Sequence, residues 1–404
     1  MLTKFIKING VYNIVVLAFS MLVPLSYLSR FDLEDVDKFY FLLGVVNVSA
    51  GSILTTFYNS DLPNKTSFLS KYLLMLFSSI IGIILVAAFG GFNYTLNHEN
   101  LLILIFAFFR AITNVLYSNF KLNYNLRLSM IAEMVEYLAL IIMYYLGDYA
   151  SLEDWILVML VLRIIVVLSC MSFLKVWQDL KLKELNFKQD IKKFGILYSG
   201  NIMANIVGYS ERYILLSFGP GTLSLYTLAV KLISPLSALM GSSQNVMIFF
   251  RKSQNASQDL LDFNRIIKYA SMFVVLLMLL FLRYSSWSPI LYDYLGVREG
   301  MEGIYLNMVY LVAICLPMSL VISLMKRFHL AKGNLSFITL TNSLLAIVQL
   351  TIMFVLRDYL YGVSIAITVG CVLVYFLYWK KTVGWALTNV FDLIWLIAVA
   401  LWLV

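Results

Sequence analysis

The chain has 404 residues, of which 61% are apolar and 13% charged, and its mean hydropathy is +0.86. This composition excludes a soluble globular protein and predicts an all-α polytopic membrane protein. The formal charge of +8 does not indicate a nucleic-acid partner, because the basic residues lie between apolar segments instead of clustering on one exposed face.

Apolar segments of about 20 residues, the length that crosses a bilayer, recur along the whole chain. They predict twelve spans, in chain order near residues 9–29, 38–58, 69–90, 100–119, 129–147, 154–174, 193–216, 222–249, 267–284, 303–325, 335–356 and 359–379. The predicted domains are a six-helix lobe at 1–175, a basic cytoplasmic linker at 176–192 and a second six-helix lobe at 193–381. The segment 382–404 predicts a short thirteenth helix, because the apolar run from Val390 to Val404 is broken by Asp392 and is marginal in length for a span.

Basic residues indicate the orientation of the spans. With the N-terminus in the cytoplasm, most of the 30 Lys and Arg residues fall in segments predicted to lie inside. Short motifs also repeat between the halves, since Ile6 to Gly10 (IKING) parallels Ile191 to Gly195 (IKKFG). Because each half has an even number of spans, both copies start on the same side. The halves are therefore predicted to form a parallel repeat, as in transporters with a central substrate path.

The chain carries no sequence pattern typical of a metal, cofactor or nucleotide site. Its three cysteines, Cys170, Cys315 and Cys371, lie far apart inside apolar segments and are predicted to be small core residues. The two histidines, His98 and His329, fall in loops or at span ends, which disfavours a zinc site and His-based catalysis. A Gly-rich phosphate loop is also missing from the sequence. We therefore expect no enzymatic activity and no cofactor.

Two consecutive spans in the middle of the chain carry polar residues at helical spacing. A polar face on a membrane helix must contact protein or water, because hydrocarbon cannot satisfy its hydrogen bonds. These two spans are therefore predicted to line a cavity. The first face comprises Tyr198, Asn201, Asn205, Gly208 and Arg212, and the second comprises Thr227, Lys231, Ser234, Gly241 and Asn245.

The stretch from Lys192 to Lys252 also resembles the start of the second half of Wzx-type polysaccharide flippases, which belong to the multidrug/oligosaccharidyl-lipid/polysaccharide (MOP) exporter superfamily. Those proteins carry a basic linker, a polar seventh span that ends in an acidic-basic pair, a Gly-containing turn and an eighth span that starts near a Tyr. The corresponding residues of this chain are Lys192-Lys193, Glu211-Arg212, Gly219 and Tyr226. The resemblance implies two six-helix lobes in a MATE/MOP-like fold.

Several charged residues are predicted to lie deep in the membrane, where each costs on the order of 3 kcal/mol and needs a partner or a function. Arg110 and Arg163 fall near the middle of their spans, and Glu133 and Glu136 lie at similar depth in the span between them. One hypothesis is that both arginines bind the pyrophosphate of a lipid-linked glycan, because a guanidinium group bonds two oxygens of one phosphate. The alternative is that Arg110 pairs with Glu133 or Glu136 and only ties helices together. Arg163 has no obvious acidic neighbour at its depth.

These residues define the candidate site. With the two arginines, Lys231 would form a cationic cavity that suits a diphosphate and disfavours a cationic drug. A local surface pair with Glu211 is the alternative role for Arg212. For a mechanism coupled to an ion, Glu136 is the best candidate coupling residue and Glu133 the second, although the sequence has no defined sodium or proton site. The candidate substrate-binding residues are Arg110, Arg163, Lys231, Asn201, Asn205 and Arg212.

By resemblance, the chain is expected to flip an undecaprenyl-pyrophosphate-linked O-antigen or capsule repeat unit across the bacterial inner membrane by alternating access. The expected partners are the lipid-linked oligosaccharide, membrane lipids, a polysaccharide polymerase and chain-length machinery. One alternative is a multidrug or cation antiporter of the same superfamily, which would need a deep protonatable acid. A membrane glycosyltransferase or polymerase is a weaker alternative, since the longest outside loop, near 284–302, lacks paired carboxylates suited to sugar chemistry.

Overall fold

The computed structural model describes residues 16, 19–59, 98–123, 126–173, 187–237, 246, 250, 253–285, 287–298, 300–382 and 395. Every regular element among these residues is an α-helix. The span predicted near 69–90, most of the linker and the tail after Thr382, apart from Trp395, lie outside the described residues. The helices are α1 (Tyr27–Arg30), α2 (Leu33–Asn59), α3 (His98–Asn123), α4 (Leu126–Leu146), α5 (Leu152–Phe173), α6 (Phe187–Leu216), α7 (Thr222–Ser237), α8 (Ala256–Tyr284), α9 (Ser288–Leu295), α10 (Glu302–Ala331), α11 (Leu335–Val355) and α12 (Gly362–Thr382).

The ten long helices, α2 to α8 and α10 to α12, coincide with ten of the predicted spans, which confirms the all-α fold class. The short helix α1 lies at the end of the span predicted near 9–29, most of whose first half is outside the described residues, whereas α9 has no counterpart among the predictions. α6 begins at Phe187, inside the segment predicted to be the linker, and α8 begins at Ala256, well before its predicted span. Hydropathy missed these starts because charged first turns lie outside the hydrocarbon, where they cost little.

The helices expose many apolar side chains, which would be unfavourable in water. On α4, Ile131, Val135 and Ile142 are exposed, whereas Glu133 and Glu136 are buried. This is the reverse of a soluble amphipathic helix, and it is expected where lipid surrounds the protein and polar groups must find partners inside. α8, α10, α11 and α12 each have the length and composition to cross a membrane. The chain is therefore a multi-pass membrane protein.

The chain divides into two compact units. One comprises Ala18–Ser224, and the other comprises Met1–Leu17 with Leu225–Val404. In the first unit, α3 packs along α5 and α2, and α2 packs on α6. In the second unit, α10 packs against α8 and α12. The predicted lobe boundary at 176–192 stays a prediction.

The cysteines are buried core residues, as predicted. Cys315 on α10 and Cys371 on α12 lie together, since the Cys371 thiol donates a hydrogen bond of 3.8 Å to the Cys315 carbonyl. Their separation in sequence had suggested no such proximity. It arises because α10 and α12 pack along their lengths around a shared core of Cys315, Met318, Val321, Met325, Cys371, Val374, Tyr375, Tyr378 and Trp379.

Candidate functional site

A buried ion pair joins α4 and α5 in the first unit. Arg163 Nη1 contacts Glu136 Oε1, and the two side chains are only 6% and 1% exposed. Tyr117 on α3 donates a hydrogen bond of 2.5 Å to the other carboxylate oxygen, Oε2. Oε2 of Glu136 thus accepts a hydrogen bond, Oε1 makes an ion contact without hydrogen-bond geometry, and three helices meet at one carboxylate.

The short connection between α3 and α4 explains part of this geometry. Only two residues separate Asn123 from Leu126, so the helices run as antiparallel neighbours. α3 also packs along α5, where Tyr117 joins a core cluster with Val167 and Cys170. The Tyr117 hydroxyl and the Arg163 guanidinium therefore approach Glu136 from two sides.

The partner of Glu136 differs from the one expected from the sequence. Depth alone had favoured Arg110 as the arginine with an acidic partner and had left Arg163 without one. The structure corrects this, because Arg163 takes Glu136. Depth follows from position along a helix, but the direction in which a side chain points depends on how the helices pack.

Arg110 lies beside this ion pair but does not join it. It is half-buried on α3, and its electrostatic neighbours are Arg163, Tyr137, Tyr27 and Glu136. Within the described part of the chain, Arg110 makes neither a hydrogen bond nor an ion pair. It is therefore a cation at membrane depth whose charge no described carboxylate neutralises by direct contact.

Glu133 lies one turn before Glu136 on α4 and is 8% exposed. It interacts with other groups and acts electrostatically on Tyr137. In this part of the protein the two deep arginines therefore lie near two deep glutamates. What distinguishes the arginines is contact, since Arg163 is paired and Arg110 is not.

Arg212 lies outside this cluster. Its Nη1 donates a hydrogen bond of 2.6 Å to the Gly208 carbonyl on its own helix, α6. The guanidinium rests against the bare backbone of Gly44 on α2, where a Cβ would come within 2.0 Å of Nε. The absence of a side chain at Gly44 is therefore what lets α2 and Arg212 approach.

We expect Gly44→Ala to displace Arg212 and to lower the free energy of unfolding by about 1–3 kcal/mol, the usual range for inserting a methyl into a filled space. Thermal melting of the purified protein in detergent measures the loss. In the double variant Gly44→Ala/Arg212→Ala the clash is removed, so its melting temperature should not fall below that of Arg212→Ala alone. If the loss in the double variant equals the sum of the losses in the two single variants, Gly44→Ala does not act through a clash with Arg212.

The other predicted site residues occupy different positions. On α6, Asn205 is 8% exposed and Asn201 is half-buried, and both make interactions within the protein. Lys231 on α7 is half-buried and belongs to the second compact unit. Of the predicted residues, the structure brings Arg110, Arg163 and Glu136 together. The predicted polar positions Gly241 and Asn245 lie outside the described residues.

Asp37 on α2 is a buried polar residue that the sequence analysis missed. Its Oδ2 accepts a hydrogen bond of 2.6 Å from the Gly221 N–H, and its Oδ1 accepts one of 2.7 Å from the Ser224 N–H and another from the Ser224 hydroxyl. Ser224 lies in the first turn of α7 and Gly221 directly precedes that helix, where the N–H groups have no acceptors within the helix. Asp37 therefore caps α7 from another helix. Gly219 and Gly221, at φ +113° and +89°, form the turn that aims the N–H groups at it.

Several solved structures of other proteins have this arrangement of helices. No protein-family model and no curated protein sequence matches the chain. Among solved structures, the lipid II flippase MurJ in an inward closed conformation superposes with a TM-score of 0.68 at 14% identity, covering 98% of this chain and 92% of that one. A MATE transporter in its straight conformation gives 0.64 at 13% identity, with coverage of 93% and 94%. The chain has a MATE/MurJ-like fold.

A third structure agrees with that conclusion. An outward-facing multidrug resistance MATE family transporter of the MOP superfamily gives a TM-score of 0.62 at 13% identity, covering 93% of this chain and 94% of that one. The MATE/MurJ-like fold confirms the fold class expected from the resemblance to MOP exporters. The structures that share it are transporters and flippases, and identities this low establish the fold alone.

Proposed function

We propose that this protein moves a lipid-linked oligosaccharide, carried on undecaprenyl diphosphate, from the cytoplasmic to the periplasmic leaflet of a bacterial inner membrane. The mechanism is alternating access, and the glycan is an O-antigen or capsule repeat unit. The observation that carries the proposal is Arg110, a half-buried cation at membrane depth with no ion pair among the described residues.

An unpaired arginine at this depth suits a diphosphate ligand. Guanidinium holds its charge when water is removed, and its planar fork bonds two oxygens of one phosphate. Arg163 stands next to Arg110 and contributes to the local positive field, but its geometry is set by Glu136. We therefore assign diphosphate binding to Arg110 and a positioning role to Arg163 and Glu136.

A multidrug or cation antiporter has the same fold and is the second candidate. Such a protein needs a deep carboxylate that can release one cation to take another. Glu136 is poorly suited to that, because Arg163 and Tyr117 occupy both of its oxygens. Glu133, which is buried nearby, is the residue that an ion-coupled mechanism would use.

Surface glycan display in a strain that lacks this protein tests the proposal. The strain is complemented with wild type, Arg110→Ala, Arg110→Lys or the control Arg298→Ala, which removes an exposed arginine. We expect Arg110→Ala to reduce surface glycan at least tenfold at equal membrane levels, because the diphosphate loses its only unpaired cation in this cluster. Arg110→Lys should recover part of the signal, and Arg298→Ala all of it.

Two outcomes would contradict the proposal. If surface glycan is normal without the protein, it is not a glycan flippase, and drug sensitivity with a Glu133→Gln variant becomes the next measurement. If glycan is lost without the protein but Arg110→Ala restores it fully, flipping stands and the assignment of Arg110 is wrong. A polysaccharide polymerase and chain-length machinery remain the expected partners of such a flippase.

A further inference from the structure

The second half of α10 has a single open face, and four of the five residues on that face are polar. From Ala313 to Leu330 the helix is buried except for five half-exposed residues that recur at helical spacing. On α8, by contrast, the open face is apolar and includes Phe273, Leu277 and Phe281, as expected for contact with lipid. The open face of α10 therefore contacts water or a polar ligand. Its residues are Ser319, Ile322, Ser323, Lys326 and Arg327.

This face ends in two adjacent cations without a described counter-charge. Lys326 Nζ donates a hydrogen bond of 3.3 Å to Asn342 Oδ1 on α11. Arg327 Nη1 is shielded from solvent and has no hydrogen-bond acceptor among the described residues. No carboxylate in the described part of the chain pairs with either residue. Two like charges side by side repel each other, and an anion bound between them would relieve that repulsion.

The environment of Lys326 and Arg327 is not that of basic residues which only set the orientation of a loop in the membrane. From the sequence, Lys326 and Arg327 belong to the basic residues that hold a loop on the cytoplasmic side, and such residues function in water. Lys332, Lys380 and Lys381 meet that description, because all three are exposed. Arg327 instead lies within α10, and one of its nitrogen atoms is withdrawn from solvent.

We propose that Lys326, Arg327 and the Asn342 amide form a binding site for the diphosphate of a prenyl-linked substrate, at the end of α10 predicted to face the cytoplasm. The proposal deepens the function proposed above and rests on it. Asn342 Oδ1 fixes Lys326, which leaves the Asn342 N–H donors, the ammonium group and the half-exposed guanidinium group of Arg327 for phosphate oxygens. The polar face of α10 continues from this site towards the middle of the span.

The test measures binding of farnesyl diphosphate to the full-length protein in phosphatidylcholine nanodiscs by calorimetric titration. The variants are Arg327→Gln, Arg327→Lys and Lys326→Gln. The matched control is Lys332→Gln, which removes the same charge from an exposed position after the same helix. We expect Arg327→Gln to raise Kd at least tenfold, Arg327→Lys to lie between Gln and wild type, and Lys332→Gln to change Kd less than twofold.

A second set of nanodiscs contains about 30% of the anionic lipid phosphatidylglycerol. It distinguishes a site for the diphosphate from a site for a lipid headgroup. An apparent Kd within about threefold of the phosphatidylcholine value supports the diphosphate assignment. An increase of tenfold or more that disappears in Arg327→Gln would overturn it in favour of a phospholipid headgroup. Equal losses in Arg327→Gln and Lys332→Gln would show nonspecific charge attraction and would also overturn the site.

Failure of this site and failure of the proposed function give different results. If surface glycan depends on the protein but Arg327→Gln binds farnesyl diphosphate as wild type does, flipping stands and this site is wrong. If Arg327→Gln loses binding as expected while surface glycan does not depend on the protein, the site stands as a diphosphate site and the glycan assignment is wrong.

Discussion

Arg163→Ala is expected to lower the free energy of unfolding by about 3–5 kcal/mol, the usual cost of removing one partner from a buried ion pair. The variant leaves Glu136, whose side chain is 1% exposed, with its Tyr117 hydrogen bond but without a counter-charge. Titration of the purified protein in mixed micelles with a chemical denaturant, monitored by circular dichroism, measures the loss of stability.

The double variant Arg163→Met/Glu136→Gln separates the charge from the packing. It removes both charges, keeps an acceptor for the Tyr117 hydroxyl and nearly preserves volume, so we expect it to regain most of the lost stability. Arg298→Ala, which removes an exposed arginine, serves as the control and should change stability little. If Arg163→Ala unfolds as wild type does, the ion pair contributes nothing and its structural role is refuted.

The same prediction decides how transport variants must be interpreted. Loss of surface glycan in Arg163→Ala would report lost folding as readily as lost binding, because the side chain ties α4 to α5. Arg110 has no such contact among the described residues, so its substitution tests binding more directly.

Asp37→Ala is expected to destabilise the protein by about 2–4 kcal/mol, because buried donors lose their acceptor. The N–H groups of Gly221 and Ser224 would have no acceptor at the start of α7, and the favourable interaction of a carboxylate with a helix N-terminus would also be lost. The same micelle titration measures the total loss. Hydrogen exchange at Gly221 and Ser224 reports the local effect.

Two comparisons sharpen that experiment. Asp37→Asn keeps one acceptor oxygen, so it should lose about half as much stability and expose one N–H more than the other. Glu34→Ala removes an exposed carboxylate from the same turn of α2, which pairs with Lys38 at 3.4 Å, and should cost about 1 kcal/mol or less. The capping role would be wrong if Asp37→Ala left exchange at Ser224 unchanged.

Much of the fold follows from hydropathy. A bilayer demands about 20 apolar residues per span, so the long helices α2 to α8 and α10 to α12 lie close to where they were predicted. Their true ends were less predictable. The first turns of α6 and α8 contain charged residues such as Lys188 and Asp259. These residues lower the hydropathy, but the backbone hydrogen bonds of the helix still include them.

The sequence predicted which residues belong to the candidate site better than it predicted the contacts between them. Arg110, Arg163 and Glu136 stood out because charges at membrane depth are costly. Asp37 did not stand out, because it lies in an acidic first turn beside Glu34 and Asp35 and looks like an ordinary residue of that kind. Arg327 did not stand out either, because it resembled a loop charge. Nothing local distinguishes these residues from exposed ones.

The sequence by itself determined the class of protein and the approximate positions of the ten spans that coincide with described helices, because apolar composition and the length that crosses a bilayer at a rise of about 1.5 Å per residue are properties of the chain alone. Only the tertiary structure decided that Glu136 pairs with Arg163, that Asp37 caps α7 and that Lys326 and Arg327 end a polar face. The physical reason is that contacts depend on the rotation of each helix about its axis. That rotation is set by how whole faces pack against one another, which no local pattern contains.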